Sequence, residues 1–588
     1  METPKVAAPH AQPDRVILYD AYTCRWLYFR RPVTVLMAHS PADVLPLLDT
    51  IQTQVDQGGL YAAGFVSYEA APAFDSVLQV NPCEDFPLAW FGLYTEVEAL
   101  ALPPRASLPP VQPLDWRASI AQAQYEQAID KIKSYIQQGE TYQVNLTFRL
   151  VAPFGQDPWA YFVQMIHAQQ CLYGAFINTT NWTICSSSPE LFFQQVGQEL
   201  VCRPMKGTAA RGLTYSDDLR LADWLQASEK NRAENLMIVD MVRNDFAQVA
   251  KLGSVQVPQL FKVEQYPTLW QMTSSVRCST EARLRQIFQA LFPPASITGA
   301  PKPRTMQIIA ELETTPRRIY TGTIGFIMPQ RSQFNVAIRT VLIDKTKQMA
   351  EYGVGSGVVW DSQAGDEFEE CYTKARVLTQ PTVDFSLLET LLWTPDTGYF
   401  LLELHLTRLQ ESAAYFAFVL DRELIYQDLQ AMAPTFPRQA QKVRLLVSKQ
   451  GEFTFESASI SNNSACPLRV HLAKTPVNSA DVFLYHKTTH RQVYEHALQA
   501  YPNADDVLLW NELGELTESC IANLVVELDG NWYTPPVYCG LLAGTFRSWL
   551  LKQGKVQEQV IRVEDLTRIT RIFLVNSVRK QQVVCIED

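Results

Sequence analysis

The chain has 588 residues, 47% of them apolar and 19% charged, with a formal net charge of −11, which is a globular composition too long for a single core. The acidic balance argues against a nucleic-acid surface, which needs a basic face, but not against a small anionic substrate, because a local arginine or a bound cation can reverse the field inside a cleft. Eleven scattered cysteines with no CxxC pair, and eight histidines without metal spacing, argue against a disulfide frame or zinc site and point to a reducing, cytoplasmic compartment.

In chain order, residues 1–15 (METPKVAAPHAQPDR) read as a loose polar tail without an apolar leader. No apolar run is long enough to span a bilayer. Strands are expected over 60–69 and 86–94, with Tyr68 and Glu69 in structural roles, and the Pro-rich 101–115 reads as a connection closing an N-terminal subdomain, 1–115. In 125–140, Ala128, Ile129, Ile132 and Ile136 share a helical face and Gly139 supplies a stop. The alternating 141–150 follows as a strand with Gln143 near its start.

Glu190 follows a proline and precedes apolar residues. Its burial would raise the carboxyl pKa and make a general acid near neutrality. In VCRPMKGTAARG (201–212), Lys206 precedes Gly207-Thr208, with Arg203 and Arg211 on either side. A glycine lets backbone approach a ligand, although these letters alone also suit a β-turn with a solvated lysine. Residues 228–250 read as an amphipathic helix that Ser228, with Asn231, can cap. SITGAPKP opens onto another helix, and 319–327, 334–340 and 351–362 read as strands, with Arg339 a candidate for pairing a carboxylate through two bonds. Glu367 and Glu370 lie about one helical turn apart in DEFEECYTKA (366–375).

Taken together, SPE, MKGT, ENLMIVDMVRND, GAPKPRTMQIIAELE and DEFEECYTK resemble, in order, the blocks of the chorismate-utilising enzymes over about 60–378. The lysine at 206 matches the branch that aminates chorismate at C4; anthranilate-forming relatives usually carry alanine there. The resemblance implies a catalytic domain, 116–378, of α+β and α/β character, with a β-sandwich core and outer helices. It implies Lys206 as nucleophile and Glu190 as acid, and Mg2+ on Glu234 and Glu370 with Glu367 beside them. Substrate contacts are implied at Gln143, Gly207, Thr208, Tyr320, Arg339, Gly355, Ser356, Gly357 and Lys374. An uncharged Gln143, where water-using relatives have lysine, suits a nucleophile other than water. Leu191 departs from the arginine that often follows the acid.

A boundary is expected in LTQPTVDF (378–385), followed by a second domain, 384–588. Strand, strand-helix and hairpin patterns occupy 384–393, 399–418 and 442–457. Arg408, Lys487, Glu518, Asn523 and Gly544-Thr545 each read as ordinary alone. Together they resemble the class IV pyridoxal-phosphate enzymes, a two-subdomain α/β family. That resemblance implies pyridoxal 5'-phosphate linked to Lys487, with Glu518 against its pyridinium nitrogen, Asn523 in the pocket, and Arg408 with Gly544-Thr545 on the phosphate. LAGTFR departs a little from the family's LPGITR-like phosphate tract.

The fusion implies synthesis of 4-aminobenzoate for folate: amination of chorismate at C4, then elimination of pyruvate. No Cys-His-Glu glutaminase arrangement can be placed, so a separate glutamine amidotransferase is the expected source of ammonia. A homodimer through the second domain is also compatible. An amino-acid transaminase or a non-catalytic recruiting module remain alternatives for the second half, and an anthranilate synthase for the first.

Overall fold

The computed structural model describes residues 13–104, 107–169, 171–378, 383–460 and 467–587. Most of the expected N-terminal tail and residues 379–382 of the expected boundary lie outside them. The chain forms two compact units, one taking residues 1–210 and 222–382, the other 211–221 and 383–588.

The first unit is built on two 10-stranded sheets. At the heart of one, Gln143–Pro153 pairs with Met349–Val358, while Trp182–Ser188 lies between Tyr173–Asn178 and Thr340–Asp344, all antiparallel. The other runs from Met205–Ala210 through Leu269–Ser279, Glu199–Arg203, Leu191–Val196, Arg331–Val336, Thr323–Met328, Tyr61–Val66 and Ala89–Tyr94 to Thr34–Ala38. A core containing Val16, Leu18, Phe65, Trp90, Ile177, Ile184, Ile324 and Phe326 draws on both sheets. The alternation that sends these residues inward sends others to an outer face. There helices Pro41–Asp56, Glu229–Ala247 and Leu284–Leu291 cover one sheet, and helices Gln122–Gln137, Pro158–Gln169 and Ala364–Ala375 cover the other. This is a β-sandwich with outer helices.

The subdivision expected at residue 115 leaves no trace in the sheets. Arg15–Asp20 pairs with Tyr173–Asn178, and Tyr61–Val66 with Thr323–Met328. Hydrophobic periodicity places strands but not their partners, so a Pro-rich link reads as a boundary even where both flanks share one sheet. Tyr68 and Glu69 are fully enclosed, and Glu69 Oε1 accepts from the Arg317 backbone at 2.6 Å.

In the second unit, Leu387–Thr394, Gln441–Val447 and Phe453–Ser459 form a small antiparallel sheet with the short Gly398–Tyr399. Helices Leu402–Phe416 and Arg422–Met432 share its core. An eight-stranded mixed sheet follows, in which Leu468–Leu472 runs parallel to both Asp506–Trp510 and Lys580–Ile586. The unit therefore has two sheets, each with its own core, and mixed helix and sheet content.

Candidate active sites

The Lys206 strand is irregular where it matters. Met205 faces Thr273 while Thr208 faces Gln271, so three steps on one strand oppose two on the other. Such a bulge re-aims a side chain, and Gly207 absorbs it at φ 94°. Asn235, one residue past Glu234 on helix Glu229–Ala247, donates to the Lys206 carbonyl at 3.1 Å, and Ser274 Oγ donates to Asn235 at 2.6 Å. Gln271 holds the next turn, donating to the Gly207 carbonyl at 2.8 Å and accepting from Thr208 Oγ1 at 3.3 Å. The helix itself starts where Ser228 Oγ accepts from the Asn231 N–H.

Lys206 opens onto a cavity of about 490 Å³. Glu190, Gly207, Thr208, Glu234, Tyr320, Arg339, Gly355, Gly357, Glu367, Glu370 and Lys374 line it too. Burial lowers the Lys206 pKa against the pull of Glu234, which favours the free amine a nucleophile needs. Burial pushes Glu190 up to about 7, against hydrogen bonds from Ser296 and the Met205 backbone. A proton donor and an amine thus meet in one cleft.

Gln143 is buried, and neither its amide oxygen nor its nitrogen has a hydrogen-bond partner among the described residues. It adjoins the lysine: a Cβ on Gly357 would fall 2.3 Å from Gln143 Nε2 and 2.6 Å from Lys206 Nζ. A buried amide left unpaired is costly, yet Gln143 is not among the residues that line the cavity. Arg339 lies beyond its expected strand, which ends at Val336, in a left-handed turn at φ 51°. It donates to Gln169 at 2.6 Å and sits 5.4 Å from the Tyr266 ring centroid.

Ser356 is placed differently from the expectation. Its hydroxyl lies 2.9 Å from Tyr125 OH, beneath helix Gln122–Gln137, and is absent from the cavity lining. Strand alternation puts Gly355 and Gly357 on one face and Ser356 on the other, a split that follows from the strand expected over 351–362 but that the run of motif letters passes over.

Besides Glu190, three carboxylates, Glu234, Glu367 and Glu370, face this cavity. Glu370 Oε1 pairs with Lys374 Nζ at 2.7 Å, and Lys374 holds its pKa down. One buried oxygen of Glu367 has no hydrogen-bond partner among the described residues. No three His, Cys, Asp or Glu side chains among the described residues form a ready metal cage, but magnesium keeps several waters and needs few protein oxygens. The orphan oxygen and the clustered carboxylates fit such an ion. Lys230, from the same helix as Glu234, also lines the cavity and was not singled out in the sequence, where it read as a solvated helix charge.

The second unit holds a cavity of about 450 Å³ lined by Arg408, Lys487, Glu518, Asn523, Gly544 and Thr545. Burial, aided by Arg408, brings Lys487 down to about 8. Glu518 is held by Tyr494 OH at 2.8 Å, the Leu542 N–H at 3.2 Å and Asn523 Nδ2 at 3.1 Å, and burial pushes it up to about 7. Asn523 also donates to the Leu542 carbonyl at 2.8 Å, so its amide orients the glutamate. A Cβ on Gly544 would lie 1.9 Å from Asn523 Oδ1 and would displace that amide. Gly544 caps helix Thr545–Lys552, whose first N–H groups are free for an anion.

Arg408 is partly committed. It grips Glu389 through Nε at 2.8 Å and Nη2 at 2.7 Å and donates to the Ala543 carbonyl at 3.2 Å, leaving two of its five N–H groups. Burial alone would raise Glu389, but Arg408 and His405 outweigh it and hold the carboxyl at about 2. Glu389 and His405 had no motif to mark them. A buried, donor-fixed glutamate, a lysine with a lowered pKa and a glycine-opened helix end fit pyridoxal phosphate. Arg491, Lys442, Arg444 and Arg579 add further positive charge around the cavity, suited to an anionic substrate.

The two sites define a protein with an amine-and-carboxylate cleft in a β-sandwich and, separately, a lysine-centred cofactor pocket in a unit of mixed helix and sheet. Residues 14–380 match the chorismate binding enzymes, and residues 386–585 match amino-transferase class IV. The chain belongs to the chorismate binding enzyme family and carries a class IV amino-transferase domain after it.

Aminodeoxychorismate synthase component 1 of Escherichia coli (strain K12) is 37% identical over 270 residues, 45% of this chain and 59% of that protein. Anthranilate synthase component 1 1 of Haloarcula marismortui is 36% identical over 282 residues, 47% of this chain and 57% of that protein. The chain thus spans under two thirds of the length of these relatives. The crystal structure of anthranilate synthase component I from Streptococcus pneumoniae TIGR4 matches with a TM-score of 0.53 at 22% identity, over 65% of this chain and 95% of that one, a likeness of fold. Among the described residues no helix is long and apolar enough to cross a membrane.

Proposed function

We propose that the chain makes 4-aminobenzoate from chorismate in two steps, one per unit, with ammonia supplied by a separate glutamine amidotransferase. The observation that carries the first step is a buried Lys206 with a lowered pKa in one cleft with a Glu190 that stays protonated to about pH 7. In this reading the Lys206 amine attacks C2 of chorismate as Glu190 protonates the departing C4 hydroxyl. Ammonia then enters at C4 and expels the lysine. Arg339 orients the substrate. Glu234, Glu370 and Glu367 would hold Mg2+, which would screen a substrate carboxylate.

In the second unit, Lys487 takes the C4 proton, after which pyruvate leaves and the ring becomes aromatic. Glu518 would hold a proton on the ring nitrogen of the cofactor, while Arg408 and the N–H groups following Gly544 would hold its phosphate. Bound pyridoxal phosphate supplies an electron sink. An uncharged Gln143, where water activation would need a base, supports an amine nucleophile in the first unit.

The test is incubation of the purified chain with chorismate, an ammonium salt, Mg2+ and pyridoxal phosphate, with products identified by mass. 4-Aminobenzoate with pyruvate is expected, and omission of Mg2+ should stop amination. Anthranilate would overturn the reading of Lys206. Aminodeoxychorismate accumulating without pyruvate would return the second unit to a transaminase or a recruiting role.

A further inference from the structure

Residues 211–221 lie within the stretch that matches the chorismate binding enzymes, beginning five positions after Lys206, yet they pack as part of the unit that carries Lys487. The geometry points to Arg211 as a positioning residue of the second active site, acting through the segment Arg211–Leu221 to fix the backbone that presents Lys487. This assignment rests on the reading of Lys487 as the catalytic amine.

The contacts form a closed loop. Arg211 grips Asp218 through two bonds, Nε and Nη2 each at 2.7 Å, and both side chains are buried. The same guanidinium donates to the Tyr415 carbonyl at 2.8 Å and lies 4.3 Å from the Tyr415 ring centroid. Tyr415 returns a bond from its hydroxyl to the Gly212 carbonyl at 2.7 Å. Its ring then packs on His486, with centroids 4.3 Å apart, and Ser412 Oγ meets His486 Nδ1 at 3.0 Å. His486 is the residue before Lys487. The backbone of Leu213 faces the same imidazole, which burial keeps neutral with a pKa pushed down to about 4.

A second line of contact starts at the Leu213 side chain, which packs against the core that contains Leu484, Tyr485 and Tyr494. Tyr494 is the residue whose hydroxyl bonds Glu518. The segment therefore braces both the lysine and the glutamate of the cofactor pocket without lining that pocket. A planar, doubly bonded arginine stacked on an aromatic ring is a rigid clamp that lysine does not reproduce. A small misplacement of a reacting amine is enough to cost rate.

Arg211→Met and the conservative Arg211→Lys are to be made in the full chain. Three quantities are read: amide hydrogen exchange of peptide 482–490 without added cofactor, pyruvate release from supplied aminodeoxychorismate with pyridoxal phosphate, and amination of chorismate. In Arg211→Met, exchange should be at least about tenfold faster and pyruvate release at least about tenfold slower. Amination should stay within about twofold of the parent, with Arg211→Lys intermediate in the first two readouts. Unchanged exchange and pyruvate release would overturn the assignment. So would parallel loss of both activities, which would mark Arg211 as general packing. If the parent chain releases no pyruvate while exchange is still faster in Arg211→Met, the positioning role stands and the lyase reading falls.

Discussion

The amine of Lys206 occupies the space that a side chain on residue 357 would need: a Cβ on Gly357 would stand 2.6 Å from Lys206 Nζ. The two residues belong to different sheets, and the glycine is what allows the lysine to reach across. Gly357→Ala should displace the amine and lower kcat/KM for amination by about 10–100-fold. Pyruvate release from supplied aminodeoxychorismate should be unchanged, so steady-state kinetics of the two half-reactions on one preparation check it.

Glu190 must carry its proton to protonate a leaving hydroxyl, and burial keeps that proton in place up to about 7. Lys206 must instead be neutral, which its lowered pKa favours. Amination should therefore decline as pH rises through the Glu190 value. Glu190→Gln should remove that alkaline limb and cut kcat by about 10²–10⁴-fold. A kcat–pH profile of both proteins decides it. An alkaline limb that persists unchanged in the glutamine variant would assign the acid role elsewhere.

Among the described lysines, Lys487 and Lys442 line the second cavity, and burial brings Lys487 down to about 8. Lys487→Ala should abolish the visible absorbance of bound pyridoxal phosphate and pyruvate release while amination continues, leaving aminodeoxychorismate to accumulate. Spectra and product analysis check this together. Retained pyruvate release would count against the assigned amine.

Glu389 is held at about 2 against an ordinary value of 4.5, although burial works the other way. A carboxyl depressed on folding stabilises above its unfolded pKa, and that contribution fades as pH falls towards the folded one. Here it amounts to roughly 3 kcal/mol, lost between about pH 4.5 and 2. Hydrogen exchange in strand Leu387–Thr394 should accelerate across that window. Glu389→Gln should accelerate it at neutral pH as well, because the Arg408 charge loses its partner.

The sequence by itself determined the order of the motif blocks, the helix that Ser228 caps and the strand begun by Gln143, and its two family resemblances nominated Lys206, Glu190, Lys487 and Glu518 as candidates. Those features are local: a capping residue, an alternation or a Lys-Gly-Thr tract is written in adjacent letters. The tertiary structure decided the rest. It supplied the bulge that aims Lys206, the turning of Ser356 towards Tyr125, the commitment of Arg408 to Glu389, the sharing of sheets across residue 115, and the membership of 211–221 in the second unit. Each depends on which strands or side chains meet across long stretches of chain. Pairing of that kind is chosen by the packing of whole faces, and no periodicity within one segment records its partner.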